Sequence, residues 1–146
     1  MRVLACAVLV LLTEAFAHAA PLTASRDVDL TAAIDDVTTA AEASGYQVVK
    51  VQPIDQALVK RGYPDPGVRI LFIGKSSTID QAMKLDPRLL SVLPLRLTLI
   101  VQGQNTLVSS DDLDMWKDMF PDPETARLVD SWQRDLAAIL SDFSAR

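Results

Sequence analysis

The chain has 146 residues, with 14 basic side chains, 19 acidic side chains and a formal net charge of −5. An acidic protein lacks the basic footprint that nucleic acid or an anionic membrane surface requires, so neither is an expected partner. With 49% hydrophobic and 23% charged residues, the composition is that of a single globular domain, and it excludes disordered, collagen-like and disulfide-rich classes.

The first twenty residues have the pattern of a secretory signal peptide. Arg2 precedes an unbroken apolar run over residues 3–12, and Ala17-His18-Ala19 precedes Ala20. Such a run is about half of the roughly 20 residues that a membrane-spanning helix needs. We therefore predict a signal peptide over residues 1–19 and a single domain over residues 20–146. The expected location is exported, either periplasmic or extracellular, with no membrane attachment after cleavage.

Cleavage after Ala19 would remove Cys6 and His18, which are the only cysteine and the only histidine of the chain. The mature chain would then lack thiolate nucleophiles, imidazole bases and thiolate or imidazole metal ligands. No disulfide could form, so stability would come from packing alone. The sequence predicts no cofactor and no metal, and it favours binding over catalysis.

The mature chain begins with a predicted strand, helix and strand. Residues 22–25 are expected to form a short edge strand. Asp29 is a good N-cap for a helix with a small apolar face, and Gly45 is typical of the end of such a helix. Residues 46–51 then predict a second strand.

The next segment predicts two helices separated by a buried strand. Pro53 suits the first position of a short helix running to Arg61, and turn formers follow. The apolar residues 68–73 predict a central strand buried on both faces. Ser76 or Ser77 is expected to cap a helix with a partial apolar stripe, which ends before Pro87.

The last third predicts a hairpin and a long helix. Over residues 95–102, Leu95, Leu97, Leu99 and Val101 alternate with Arg96, Thr98, Ile100 and Gln102, as in a strand with one core face and one wetter face. A turn at residues 103–105 leads into a strand over residues 106–110, and residues 111–119 predict a short acidic helix. The final helix starts at Asp122-Pro123. Its long apolar stripe predicts the main core helix: Leu128, Trp132, Leu136, Ile139, Leu140 and Phe143. The whole pattern predicts one α+β domain.

Three motifs together resemble the bacterial "domain of unknown function 302" family. They are Ile73-Gly74-Lys75-Ser76-Ser77, then Met83-Lys84-Leu85-Asp86-Pro87, then Leu93-Pro94-Leu95-Arg96-Leu97. In that family, a Phe-Gly-Asn-Pro turn, a helix that ends before a proline and a Leu-Pro-Leu or Leu-Pro-Cys strand start occur at similar spacing. Here Lys75-Ser76 stands where the family has Asn-Pro.

The resemblance covers most of the mature chain and implies a fold without an activity. That fold is β-α-β(4)-α, of the TATA-binding-protein-like class, with an antiparallel sheet packed against a long C-terminal helix. The resemblance also implies that a dimer is common, and it does not imply DNA binding.

Gly74, Lys75 and Ser76 form a candidate anion turn. They lie between a predicted strand and a predicted helix, where backbone amides bind anions. A phosphate-binding P-loop needs a glycine five residues before Gly74, but Arg69 occupies that position. The turn is therefore either a weaker anion site or a plain strand-to-helix turn.

Met115, Trp116, Met119 and Phe120 form a candidate ligand or partner surface. Soft apolar groups of this kind adapt to ligands and partners, although the same helical spacing is also typical of a core. Our leading hypothesis is an exported, non-catalytic binding domain for a small apolar ligand or a protein partner, with a homodimer among the partners left open.

Two alternative hypotheses remain. Asp111, Asp112 and Asp114 belong to the densest acidic cluster, and hard cations prefer carboxylate oxygens. A carboxylate-dependent or metal-dependent hydrolase would use them, although the central glycine and terminal glutamate of a calcium loop are missing. The other alternative is a structural scaffold within an envelope complex.

Overall fold

The computed structural model describes residues 22–54 and 56–146, so the predicted signal peptide lies outside the described residues. In this part the chain forms five strands, five α-helices and one 3₁₀ helix. The strands are β1 (Thr23–Arg26), β2 (Gln47–Pro53), β3 (Val68–Gly74), β4 (Leu95–Gln102) and β5 (Asn105–Ser110). The α-helices are α1 (Leu30–Ala43), α2 (Gln56–Val59), α3 (Ser76–Leu85), α4 (Asp114–Met119) and α5 (Pro123–Ala145), and the 3₁₀ helix covers Pro87–Ser91.

The five strands form one sheet in the order β1-β5-β4-β3-β2, and every neighbouring pair is antiparallel. With the short helices set aside, the order along the chain is one strand, a helix, four strands and a long helix. The predicted α+β fold, an antiparallel sheet with a long C-terminal helix, is therefore confirmed. Among the described residues, no helix combines the length and the apolar character that a membrane crossing requires.

Helices α1 and α5 form the layer that covers the sheet. Asp122 caps α5 by accepting hydrogen bonds from the backbone of Glu124 and Thr125, and the predicted apolar stripe of α5 is buried along its whole length. Asp29 caps α1 in the same way, accepting from Ala32 at 2.8 Å. The buried residues of α1 are small, which lets this helix lie close to the sheet: Ala33, Val37, Ala40 and Ala41.

Within residues 22–54 and 56–146, helices cover one face of the sheet and leave the other, which we call the open face, partly exposed. In β4, Leu97 and Leu99 are fully buried, whereas Thr98 and Ile100 on the opposite face are partly exposed. The β4–β5 hairpin has the predicted turn, with Gly103 in the left-handed region at φ 65°.

The prediction that β3 is central and buried on both faces is wrong. It lies second from the edge, between β4 and β2. Leu71 and Ile73 are buried, whereas Ile70 and Phe72 are partly exposed. The cause is the one-sided placement of the helices, which strand periodicity does not report.

Two predicted helix starts are also wrong. Pro53 ends β2 and does not begin a helix, and α2 is only four residues long. A proline is tolerated there because β2 is an edge strand, which leaves some backbone amides without a ladder partner. The N-cap of α3 is Lys75, with no side-chain cap bond, so neither Ser76 nor Ser77 caps the helix.

The open face predicts unequal costs for two neighbouring substitutions in β4. Leu99→Ala should lower the free energy of unfolding by about 3 kcal/mol, because it leaves a cavity in the core. Ile100→Ala should lower it by about 1 kcal/mol, because that side chain is already in contact with solvent. Urea unfolding of both variants measures the difference, and equal losses would show that the open face is covered in solution.

Candidate functional site

A hollow lies beside the start of α3, at the end of the sheet where β3 finishes. Its volume is about 270 Å³, which is just below the roughly 300–1,000 Å³ of most small-molecule sites. We call it the α3 hollow. Its lining residues come from the start of β2 and the residue before it, the end of β3, the first turn of α3 and the segment before β4: Tyr46, Val49, Ile73, Gly74, Lys75, Thr78, Ile79, Leu90, Leu93 and Pro94.

Three large apolar side chains converge on the α3 hollow from three different elements. Val49 belongs to β2, Ile79 to α3 and Leu90 to the 3₁₀ helix, and all three are exposed. The register between β2 and β3 shifts by one residue between Val48 and Lys50, so Val49 is an extra residue in the strand. Such a bulge redirects a side chain relative to a regular strand.

The polar side of the α3 hollow is formed by Tyr46, a side chain that is almost completely buried. Its hydroxyl donates a hydrogen bond to Asp135 Oδ2 at 2.7 Å. Burial, with the bond to the Asp135 carboxylate and its negative charge as further causes, raises the pKa of Tyr46 well above its ordinary value of 10.0; an interaction with Thr78 opposes this shift.

Lys75 turns away from the first turn of α3. Its side chain runs past Gly45, and its ammonium donates to the backbone oxygen of Ser44 at 3.3 Å. That oxygen lies at the C-terminal end of α1, where a positive charge is favoured by the helix dipole. Of the predicted anion turn, Gly74 and Lys75 line the α3 hollow and Ser76 does not; anion binding at this turn stays a prediction.

The four residues of the predicted apolar surface are divided between core and solvent. Phe120 is buried in the core, and Trp116 packs against the core and stacks on Phe120 with 6.4 Å between ring centroids. Met115 and Met119 are 66% and 60% exposed. Helix α4 therefore does not bring the four side chains onto one surface.

Met115 and Trp116 line a second concavity of about 430 Å³, which we call the α4 cleft. Phe72 and Arg96 from the open face of the sheet form another wall, and Arg96 Nε donates to Asp111 Oδ2 at 2.8 Å. The two concavities adjoin, because Leu93 and Pro94 line both: the complete lining of the cleft is Phe72, Ser91, Val92, Leu93, Pro94, Arg96, Asp111, Asp112, Leu113, Met115 and Trp116.

The acidic residues of the hydrolase hypothesis are each held by a different partner. Asp111 pairs with Arg96, and Asp112 accepts the backbone N–H of Asp114 at 2.9 Å. Asp114 pairs with Lys117 at 2.7 Å. This hydrogen bond and a second one, to Asp130, raise the pKa of Lys117 to about 12. Within residues 22–54 and 56–146, no group of three or more acidic, histidine or cysteine side chains could hold a metal ion.

The main residues of the α3 hollow were missed at the sequence level. The sequence pattern places Tyr46 and Val49 in a strand and Ile79 in an apolar stripe of α3. The stripe itself was the available signal for a surface site. In the structure its residues Ile79 and Met83 are 47% and 50% exposed, so the stripe is not part of the core. An apolar stripe on a helix beside a short, irregular segment is a candidate surface as well as a candidate core.

Comparison with known proteins gives a family and a fold. The family model described as domain of unknown function DUF302 matches residues 22–143. The chain is similar in structure to a crystal structure of an uncharacterized conserved DUF302 protein from Bacillus stearothermophilus, with a TM-score of 0.76 and 16% sequence identity. The likeness covers 84% of this chain and 96% of the other chain. No curated protein matches the sequence.

The environment of Tyr46 predicts a stability change at alkaline pH. A raised pKa in the folded state stabilises the fold at pH values below 10.0, and this contribution is lost as the pH rises further. Tyr46→Phe removes the hydrogen bond to Asp135, so at pH 8 it should destabilise the domain by about 1 kcal/mol. Melting temperatures of the native protein and the variant between pH 8 and 11 should converge at the alkaline end. A constant gap would contradict this account.

Proposed function

The chain belongs to the family of the domain of unknown function DUF302, and from this premise we propose that it is a non-catalytic binding domain for a small apolar ligand. The proposed site is the α3 hollow. One observation carries the proposal, namely the convergence of Val49, Ile79 and Leu90 on a single concavity. Leaving apolar surface in water costs about 25 cal/mol per Å², so an apolar ligand that covers these side chains recovers that free energy.

The size of the α3 hollow sets the size of the ligand. A water-sized group has a share of liquid volume of about 30 Å³, so a hollow of about 270 Å³ holds roughly nine such groups. 1-Octanol has nine non-hydrogen atoms and is therefore a suitable first probe.

Export is part of the same proposal. The family match begins at residue 22, so the segment with the signal-peptide pattern lies outside the matched domain. A binding domain that is released from its signal peptide would meet its ligand in the periplasm or outside the cell.

The α4 cleft supports a second candidate function, the docking of a protein partner. The specific observation is that Met115 extends into solvent at the rim of the cleft, next to Trp116 and the half-exposed Arg96. Methionine, tryptophan and arginine are enriched in protein interfaces.

Two matched substitutions in α3 test the proposed ligand site. Ile79→Ser should weaken the binding of 1-octanol about tenfold, since it removes an apolar wall of the hollow. Met83→Ser is the control, because Met83 is equally exposed one turn later and does not line the hollow. ¹H–¹⁵N NMR titration measures both affinities. If native protein does not bind 1-octanol, or if both variants lose affinity equally, the α3 hollow is not the site.

A second pair of substitutions tests the partner surface in α4. Met115→Ala should reduce the binding of a partner recovered by cross-linking in the native host, whereas Met119→Ala should not, because Met119 is equally exposed but lies outside the cleft. Trp116 fluorescence should also change with bound partner, since its ring lines the cleft. Equal binding by native protein and Met115→Ala would remove the cleft from consideration.

A further inference from the structure

Two residues of opposite charge lie near Tyr46, on the polar side of the α3 hollow. Lys75 lines the hollow itself, and Asp135 from α5 is bound to the Tyr46 hydroxyl. The Lys75 ammonium is 4.0 Å from Asp135 Oδ2. At this distance each charge partly neutralises the other.

Each of the two charges also has a further partner within the protein. The Lys75 ammonium donates to Ser44 and lies over the Tyr46 ring, 5.1 Å from its centroid. Contact of this kind between a cation and the face of an aromatic ring is attractive. The Asp135 carboxylate accepts the hydrogen bond from Tyr46. Within the cluster of Lys75, Tyr46 and Asp135, each charge therefore has a partner in the protein, and both charged side chains remain about one-third exposed.

Apart from Thr78, whose hydroxyl interacts with Tyr46, the remaining wall of the hollow has no side chain that could pair with an ionised group. Its side chains are aliphatic at Val49, Ile73, Ile79, Leu90 and Leu93. An ionised carboxylate or ammonium loses hydration when it enters an apolar site, and this loss is unfavourable unless an opposite charge compensates for it. Here both candidate counter-charges are already engaged with each other.

We infer that the α3 hollow selects uncharged aliphatic ligands and rejects a carboxylate or an ammonium on a chain of the same length. The inference rests on the proposed function of the hollow as an apolar ligand site. The balance between Lys75 and Asp135 sets the selectivity, so removal of either charge changes which ligand is preferred.

Three probes of one chain length test the selectivity at pH 7: 1-octanol, octanoate and octylammonium. NMR titration of the native protein should show that 1-octanol binds about tenfold more tightly than either ion. If either ion binds as tightly as 1-octanol, the inference is wrong while the proposed apolar site stands. If none of the three binds, both the proposed function and the inference fail.

Two charge-removing variants then identify the residues responsible. Lys75→Met keeps an unbranched side chain that is one heavy atom shorter, and it leaves Asp135 without its cation, so the affinity ratio of octylammonium to octanoate should rise about tenfold. Asp135→Asn still accepts the Tyr46 hydrogen bond and leaves Lys75 in excess, so the same ratio should fall about tenfold. Melting curves establish that each variant is folded, and an unchanged ratio in either folded variant would overturn the inference.

Discussion

The fold depends on the burial of one face of a single sheet beneath α1 and α5. The only cysteine of the chain, Cys6, lies outside the described residues, so no disulfide supports this packing there. At about 1.5 Å per residue, the 23 residues of α5 extend roughly 35 Å, which exceeds the width of about 24 Å of five strands. This helix contacts both ends of the layer, touching β1, α1, α3 and α4.

The α3 hollow lies beside the C-terminal end of α1 and the middle of α5, where Lys75 is bonded to Ser44 and Tyr46 to Asp135. The end of the sheet near β3 is bordered by short elements, namely α3, the 3₁₀ helix and α4, which are too short to cover it with a continuous apolar stripe. Their exposed side chains surround the α3 hollow and the α4 cleft instead of filling them. A rigid layer that positions a site on short irregular segments is a common arrangement in binding proteins.

The elements that were predicted correctly depend on local chemistry. Asp29 and Asp122 cap their helices because a carboxylate satisfies amides within three residues, and the stripe of α5 follows from one helical period. The prediction that β3 is buried on both faces failed because burial depends on which side of the sheet the helices occupy. The α3 hollow was missed for a related reason, since Tyr46 and Leu90 are distant in sequence and only the assembled sheet brings them together. Whether Met115 or Trp116 faces the core likewise depends on how α4 packs against α5.

The bulge at Val49 has a consequence for how the protein meets copies of itself. β2 is an edge strand, and a regular edge presents unpaired backbone groups that can recruit a strand from another molecule. The extra residue interrupts that row near one end, the charge of Lys50 stands beside it, and Pro53 removes a donor at the other end. The bulge that places Val49 in the wall of the α3 hollow therefore also hinders edge-to-edge aggregation. A variant with a regular β2 would lose this wall of the hollow and the protection against aggregation together.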